Sequence, residues 1–231
     1  MFKAQTLCKG GLRTGLPALD RLLDIGDGII TLRSESNGLL SWLASSIIIR
    51  NHLPGSDTLY VHWVDYHRRY WTVDLDLMVR MAKKLGVDTA AIMDGVHFVR
   101  MFSRDCTEAG ENWDKIYGFS SDVRLAVLDS VSELYEAEDD AGMRRGPDAK
   151  GAAYSIRKFL QLCMMNSCHG LVLDSSRRSI HPYLGEVSSI VLKLFCRERL
   201  YANVLKHPCM LSSTVDLGMP DPQPSLMRWM L

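Results

Sequence analysis

The residues best placed to do chemistry lie between Ile29 and Ile49, IITLRSESNGLLSWLASSIII. An apolar strand, a short polar turn and an apolar helix follow one another there, which is the layout of a phosphate-binding loop. A working loop has Gly-x-x-x-x-Gly-Lys-Ser/Thr. Its glycines let backbone N–H groups close on phosphate, its Lys neutralises the charge, and its hydroxyl holds Mg²⁺. Here the first Gly position is Arg33, the second is Gly38, and the Lys and Ser/Thr positions are Leu39 and Leu40. The layout survives and the charge does not, so the residues point to a nucleotide-hydrolase scaffold turned to another use. Arg33 can face an anion beside the helix N-terminus, or close a salt bridge, which is the favoured reading. Leu39 and Leu40 are expected in the helix core.

Four further groups carry chemistry. Asp129 ends the apolar run Arg124 to Leu128. In a live site it would hold Mg²⁺ through water; without partners in the loop it reads as a strand-end hydrogen-bond acceptor. Arg144, Arg145 and Lys150, spaced by Gly142, Gly146 and Gly151, suit contacts to a phosphate backbone. They suit equally well pairing with Glu136, Glu138, Asp139 and Asp140. Arg177 and Arg178, with His181 and Tyr183, have the composition of a single-strand site and also of an ordinary polar loop. Tyr66, His67, Arg68, Arg69, Tyr70 and Trp71 form a cluster that can stack bases or, the favoured reading, anchor a protein interface. Cys163, Cys168 and His169 lie close in sequence, but zinc needs a fourth ligand, so no metal is expected.

The elements that must position these groups follow from periodicity. Leu16–Leu23 has helical spacing, with Thr14 expected as N-cap and Pro17 in the first turn. Strands are expected at Ile29–Leu32, Thr58–Val64, Val96–Met101, Arg124–Leu128 and Gly170–Leu173. Helices are expected at Leu39–Arg50, Leu75–Leu85 and Ala152–Ser167, with a helix and loop within 104–121. Val187–Cys196 and Leu200–Leu205 read as an antiparallel edge hairpin. Asp139–Gly151 and Asp174–Gly185 read as loops, and Pro220–Pro224 as an extended tail. Strands alternating with helices predict an α/β fold with a mainly parallel sheet covered on both faces.

Composition sets outer bounds. The chain has 231 residues, enough for one sizeable domain, with 47% apolar and 23% charged residues. Its 27 basic and 27 acidic residues cancel, so no global basic field draws nucleic acid and any such binding is local. The six cysteines include no C-x-x-C pair, and they are expected to be reduced in an intracellular protein. No secretory pattern and no apolar run of about 20 residues is present, so no membrane association is expected.

In order along the chain, five segments resemble the ATPase core of the RecA/RadA recombinase family, archaeal and eukaryotic branch. TGLPALDRLLDIGDGI is similar to the segment ahead of the loop strand. LMVRMAKKLGVD and MDGVHFVRMFS resemble the stretch between the second and third strands. RLAVLDSVSELYEAE is similar to the Walker B strand, MRRGPDAKGAAYSIRKFLQL to the first DNA loop and the helix after it, and ANVLKHPCM to the C-terminal strand. The resemblance implies one RecA-like core, residues 14–219, between an extension (1–13) and a tail (220–231), with no N-terminal helical DNA-binding domain. The departures agree with one another. The water-positioning Glu of the second strand is replaced by Tyr66, the filament-forming Phe-x-x-Ala motif is absent, and the second DNA loop is short. The resemblance therefore implies a catalytically inactive paralogue that takes no ATP or Mg²⁺ as cofactor. It would serve as an accessory factor in homologous recombination and DNA repair, in the cytoplasm beside the nucleoid, or in a nucleus. Its partners would be a RadA-type recombinase or another paralogue, in a homo- or hetero-oligomer, and single-stranded DNA. The alternatives are a residual or trans-complemented DNA-dependent ATPase and a structural subunit unrelated to DNA.

Overall fold

Strands buried on both faces need helices above and below them, and such strands occur in parallel sheets. In the computed structural model β1 (Ile29–Arg33) and β5 (His169–Asp174) are buried at every position. The structure describes residues 11–24, 28–53, 55–63, 73–101, 106–118, 123–129, 149–175 and 180–218. The other elements are α1 (Pro17–Leu22), α2 (Asn37–Asn51), β2 (Asp57–Trp63), α3 (Leu75–Lys84), α4 (Thr89–Gly95), β3 (Val96–Met101) and α5 (Cys106–Gly118). They continue with β4 (Val123–Asp129), α6 (Ala149–Asn166), α7 (Pro182–Val187), β6 (Ser188–Cys196), β7 (Leu200–Lys206) and β8 (Ser213–Gly218).

Among the described residues the strands form one sheet in the order β3-β2-β4-β5-β1-β6-β7-β8. The strands from β3 to β6 in that order are parallel, and β7 and β8 are antiparallel additions. The protein is thus an α/β fold with a mixed, mostly parallel sheet. One face packs Leu32, Tyr60, Val127 and Leu192 against Leu19 of α1, Leu43 of α2, Met78 of α3 and Ile92 of α4. The opposite face packs Val61, Leu128 and Val172 against Trp113 of α5, Phe159 of α6 and Leu184 of α7.

Helix α2 is buried from Leu39 to Ile49, its three serines included. A helix apolar on all sides belongs inside a protein, and α2 lies under α1 and α3. Ser46 Oγ donates to the Thr14 carbonyl at 2.6 Å, and Ser41 Oγ accepts from the Asp74 N–H at 3.0 Å.

The structure corrects several expectations. Leu16, not Thr14, occupies the α1 N-cap, because the Thr14 N–H and hydroxyl both bond Asp20 Oδ1 at 2.6 Å. Helix α2 starts at Asn37, since the Ser36 hydroxyl caps Leu39 N–H at 3.2 Å and shortens the turn. Helix α4, capped by Asp88 on Ala90 N–H at 2.9 Å, has no counterpart among the expected elements. Helix α6 begins at Ala149, so Lys150 and Gly151 belong to a helix and not to a loop. Helix α7, Pro182–Val187, takes the last residues of the expected loop Asp174–Gly185 and the first of the expected strand Val187–Cys196. The β6–β7 hairpin is real but is not the sheet edge: β6 pairs with β1 on its other side, and β8 lies outside β7. Ahead of α1, Leu12 is fully buried, and the Arg13 N–H bonds Asn51 Oδ1 at 3.0 Å. No helix among the described residues is long and apolar enough to cross a membrane.

Gly170 lets α6 approach β5. A Cβ there would sit 2.9 Å from Cys163 Sγ, 3.2 Å from Ile29 and 3.3 Å from Phe159. Gly170→Val is expected to cost about 1–3 kcal/mol through overpacking, read as a lower urea midpoint at unchanged m-value.

Candidate functional site

In open α/β sheets ligands bind beyond the C-terminal ends of the parallel strands. Here those ends carry charge that is committed internally. Arg33 ends β1, Asp174 ends β5, and the two are register partners. Arg33 Nε donates to Asp174 Oδ2 at 2.6 Å, with the side chains 7% and 0% exposed. The Ser34 N–H donates to the Asp174 carbonyl at 3.1 Å, which stitches the turn to β5. The salt bridge expected for Arg33 is therefore present, with a partner 141 residues away.

The turn after Arg33 is closed on itself. The Ser36 N–H bonds Ser34 Oγ at 3.1 Å, and the Ser36 hydroxyl takes the Leu39 N–H. That N–H belongs to the set a phosphate would use at a helix N-terminus. Leu39 and Leu40 are 1% and 0% exposed and sit in the core. The loop's charge, one of its donors and the side chains at its Lys and Ser/Thr positions are thus all turned inward.

Asp129 is held in the same manner. It is the register partner of His62. Tyr60 donates its hydroxyl to Asp129 Oδ2 at 2.6 Å, and His62 Nδ1 lies 2.8 Å from the same oxygen. An ionised Asp129 requires the proton on Nδ1. All three side chains are buried. Burial, then the charge of Asp129 and its hydrogen bond, raise the Tyr60 phenol well above its usual value. Asp129 therefore behaves as the strand-end acceptor that its missing loop partners imply.

A cleft of about 600 Å³ opens between the turn Ser34–Gly38 and strands β6 and β7. Its cations come from β6 and the bend that follows it. Lys193 Nζ bonds Glu35 Oε1 at 3.1 Å, and Arg197 lies 5.6 Å from the Phe195 ring, which stacks on Tyr201 at 5.5 Å. Lys193 and Phe195 share one face of β6 because side chains alternate, and Arg197 follows in the bend after the strand. That period was legible in the sequence; that β6 lies beside β1 was not.

Several expected site residues fall outside the described residues: Tyr66, Arg68, Arg69, Tyr70, Trp71, Arg144, Arg145, Arg177 and Arg178. Lys150 sits in the first turn of α6. Tyr183 is half-buried, with the Arg157 guanidinium 6.0 Å from its ring, so its ring is already engaged. The segments carrying the aromatic cluster and the two arginine pairs follow β2, β4 and β5. These strands are parallel neighbours in the sheet, so the three segments start from adjacent strand ends.

No protein-family model matches the chain, and no curated protein matches it.

Arg33→Ala leaves Asp174 buried without this partner and is expected to cost about 3–5 kcal/mol in urea unfolding. The double change Arg33→Met with Asp174→Leu should recover most of that loss. Tyr60 gives a pH test. Its folded-state pKa is raised, so its contribution is complete below the unfolded tyrosine value, about 10, and is lost as pH rises beyond it. Tyr60→Phe is expected to flatten the alkaline loss of stability in denaturation at stepped pH.

Proposed function

We propose that this protein is a RecA/RadA-like core that works by binding and not by hydrolysis. In this reading it is an accessory factor in homologous recombination and DNA repair that joins a RadA-type recombinase or another paralogue and contacts single-stranded DNA. The observation that carries the reading is the Arg33–Asp174 ion pair. Phosphoryl transfer rests on positioning and on charge aimed at the phosphates. The cation of this loop is spent on a carboxylate, and the Lys position is a core leucine. The strand order supports the same scaffold, since the turn-bearing β1 and the Asp129-bearing β4 flank β5 in a mostly parallel sheet.

The binding surface is assigned to the segments that begin at the adjacent ends of β2, β4 and β5. One of them carries Tyr66, Arg68, Arg69, Tyr70 and Trp71, which suit a protein interface or base stacking. The other two carry Arg144 with Arg145 and Arg177 with Arg178, which suit phosphate. On a neutral chain such binding is local and sensitive to salt.

A second reading has one observation in its favour. The cleft beside the turn is roomy and has Lys193 and Arg197 on its wall, which would suit a residual ATPase or one completed in trans by a partner. Turnover by the purified protein, with and without a recombinase, compared with Asp129→Asn, separates the two readings. Turnover that Asp129→Asn abolishes belongs to the ATPase.

The binding reading is tested by gel shift on single-stranded DNA across a salt series. Binding is expected at about 50 mM salt. When Arg144, Arg145, Arg177 and Arg178 become Ala, the log–log salt slope should become shallower by about 0.7 for each phosphate no longer neutralised. Absence of binding, or binding indifferent to all four changes, removes DNA from the proposal and leaves a structural subunit.

A further inference from the structure

The end of α6 and the start of β5 read Cys163-Met164-Met165-Asn166-Ser167-Cys168-His169. Ser167 takes the left-handed conformation, with φ +48°. Its N–H donates to the Met164 carbonyl at 3.3 Å, and the Cys168 N–H donates to the Cys163 carbonyl at 3.0 Å. These two bonds make a Schellman cap, with Ser167 where glycine is usual. Such a cap sets the second residue beyond the helix against one in its last turn, commonly as an apolar contact. In this chain both residues are cysteine. Their thiols are free, buried at 6% and 5% exposure, and hydrogen-bonded to each other. Gly170 makes room for the Cys163 sulfur, since a Cβ there would come within 2.9 Å of it.

The hydrogen bond to Cys168, then burial, raise the Cys163 thiol well above its usual value. The turn also faces solvent, because Met164 and Met165 are 71% and 65% exposed. A small oxidant thus has a short path to the thiols.

We propose that Cys163 and Cys168 are an oxidation-sensitive dithiol, a modification site that closes to an intramolecular disulfide when a small hydroperoxide reaches the α6–β5 turn. In the first step one of the two thiols attacks, as its thiolate, the peroxide O–O bond. An S–O bond forms, the O–O bond breaks, and hydroxide (or alkoxide) leaves and takes a proton. In the second step the other sulfur attacks the sulfenic sulfur and loses its proton, and water departs. Two thiols give up two electrons, and one peroxide is reduced by two. A disulfide needs Cα atoms about 4.4–6.8 Å apart, and the backbone bond and the thiol–thiol bond hold these residues side by side. The dithiol is independent of any role in recombination.

The test uses the reduced full-length protein, titrated with hydrogen peroxide, unfolded, alkylated with iodoacetamide and mapped by mass spectrometry. Expected is loss of alkylation at Cys163 and Cys168 together, in a peptide lighter by two hydrogens that dithiothreitol restores. Cys196 and Cys209 should stay alkylatable. In at least one of Cys163→Ser and Cys168→Ser the reaction should stop at the sulfenic acid, and the remaining cysteine should trap dimedone. The proposal is overturned if both thiols remain alkylatable when Met164 and Met165 are already sulfoxides. It is also overturned if either thiol links to a different cysteine.

Discussion

The arrangement of the strand ends depends on one buried ion pair. Arg33 and Asp174 close β1 against β5 where a phosphate loop would otherwise open. A guanidinium and a carboxylate taken out of water lose several kcal/mol of hydration each, and that cost is offset only by close geometry and further hydrogen bonds. The 2.6 Å contact, the register pairing and the Ser34 bond to the Asp174 backbone provide such bonds. The pair therefore belongs to the framework, and its charge is not available to a ligand.

The neighbouring helix completes the same change. A helix that receives phosphate keeps its first N–H groups and a cation directed outward. Helix α2 gives the Leu39 N–H to Ser36 and buries Leu39 and Leu40 under α1 and α3. Two strands away, Asp129 accepts from Tyr60 and lies against His62. Arg33, the start of α2 and Asp129 are each engaged in internal contacts. Among the described residues, the cleft between the turn Ser34–Gly38 and strands β6 and β7 remains open.

Much of the fold was legible in the sequence because its signals are local. Val96–Met101 is an isolated β-branched and aromatic run and is a strand over those same residues. Gly86, at φ +68°, stops α3 where the chain needs a left-handed residue. The missed elements lack such marks. Helix α4 is seven residues long, and β8 is mostly exposed, so neither presents an apolar face of useful length. Of the candidate site, the inward fate of Leu39 and Leu40 followed from residue type alone. The partner of Arg33 and the cations facing the turn did not, because both depend on which strands are neighbours. Strand order is set by packing across the whole chain, and no local period reports it.

The central claim is that this loop has exchanged phosphate for an internal carboxylate. Isothermal titration calorimetry of the purified protein with ATP in excess Mg²⁺ tests it most directly. No saturable heat is expected up to about 1 mM nucleotide. Mg²⁺-dependent binding in the micromolar range would contradict the claim.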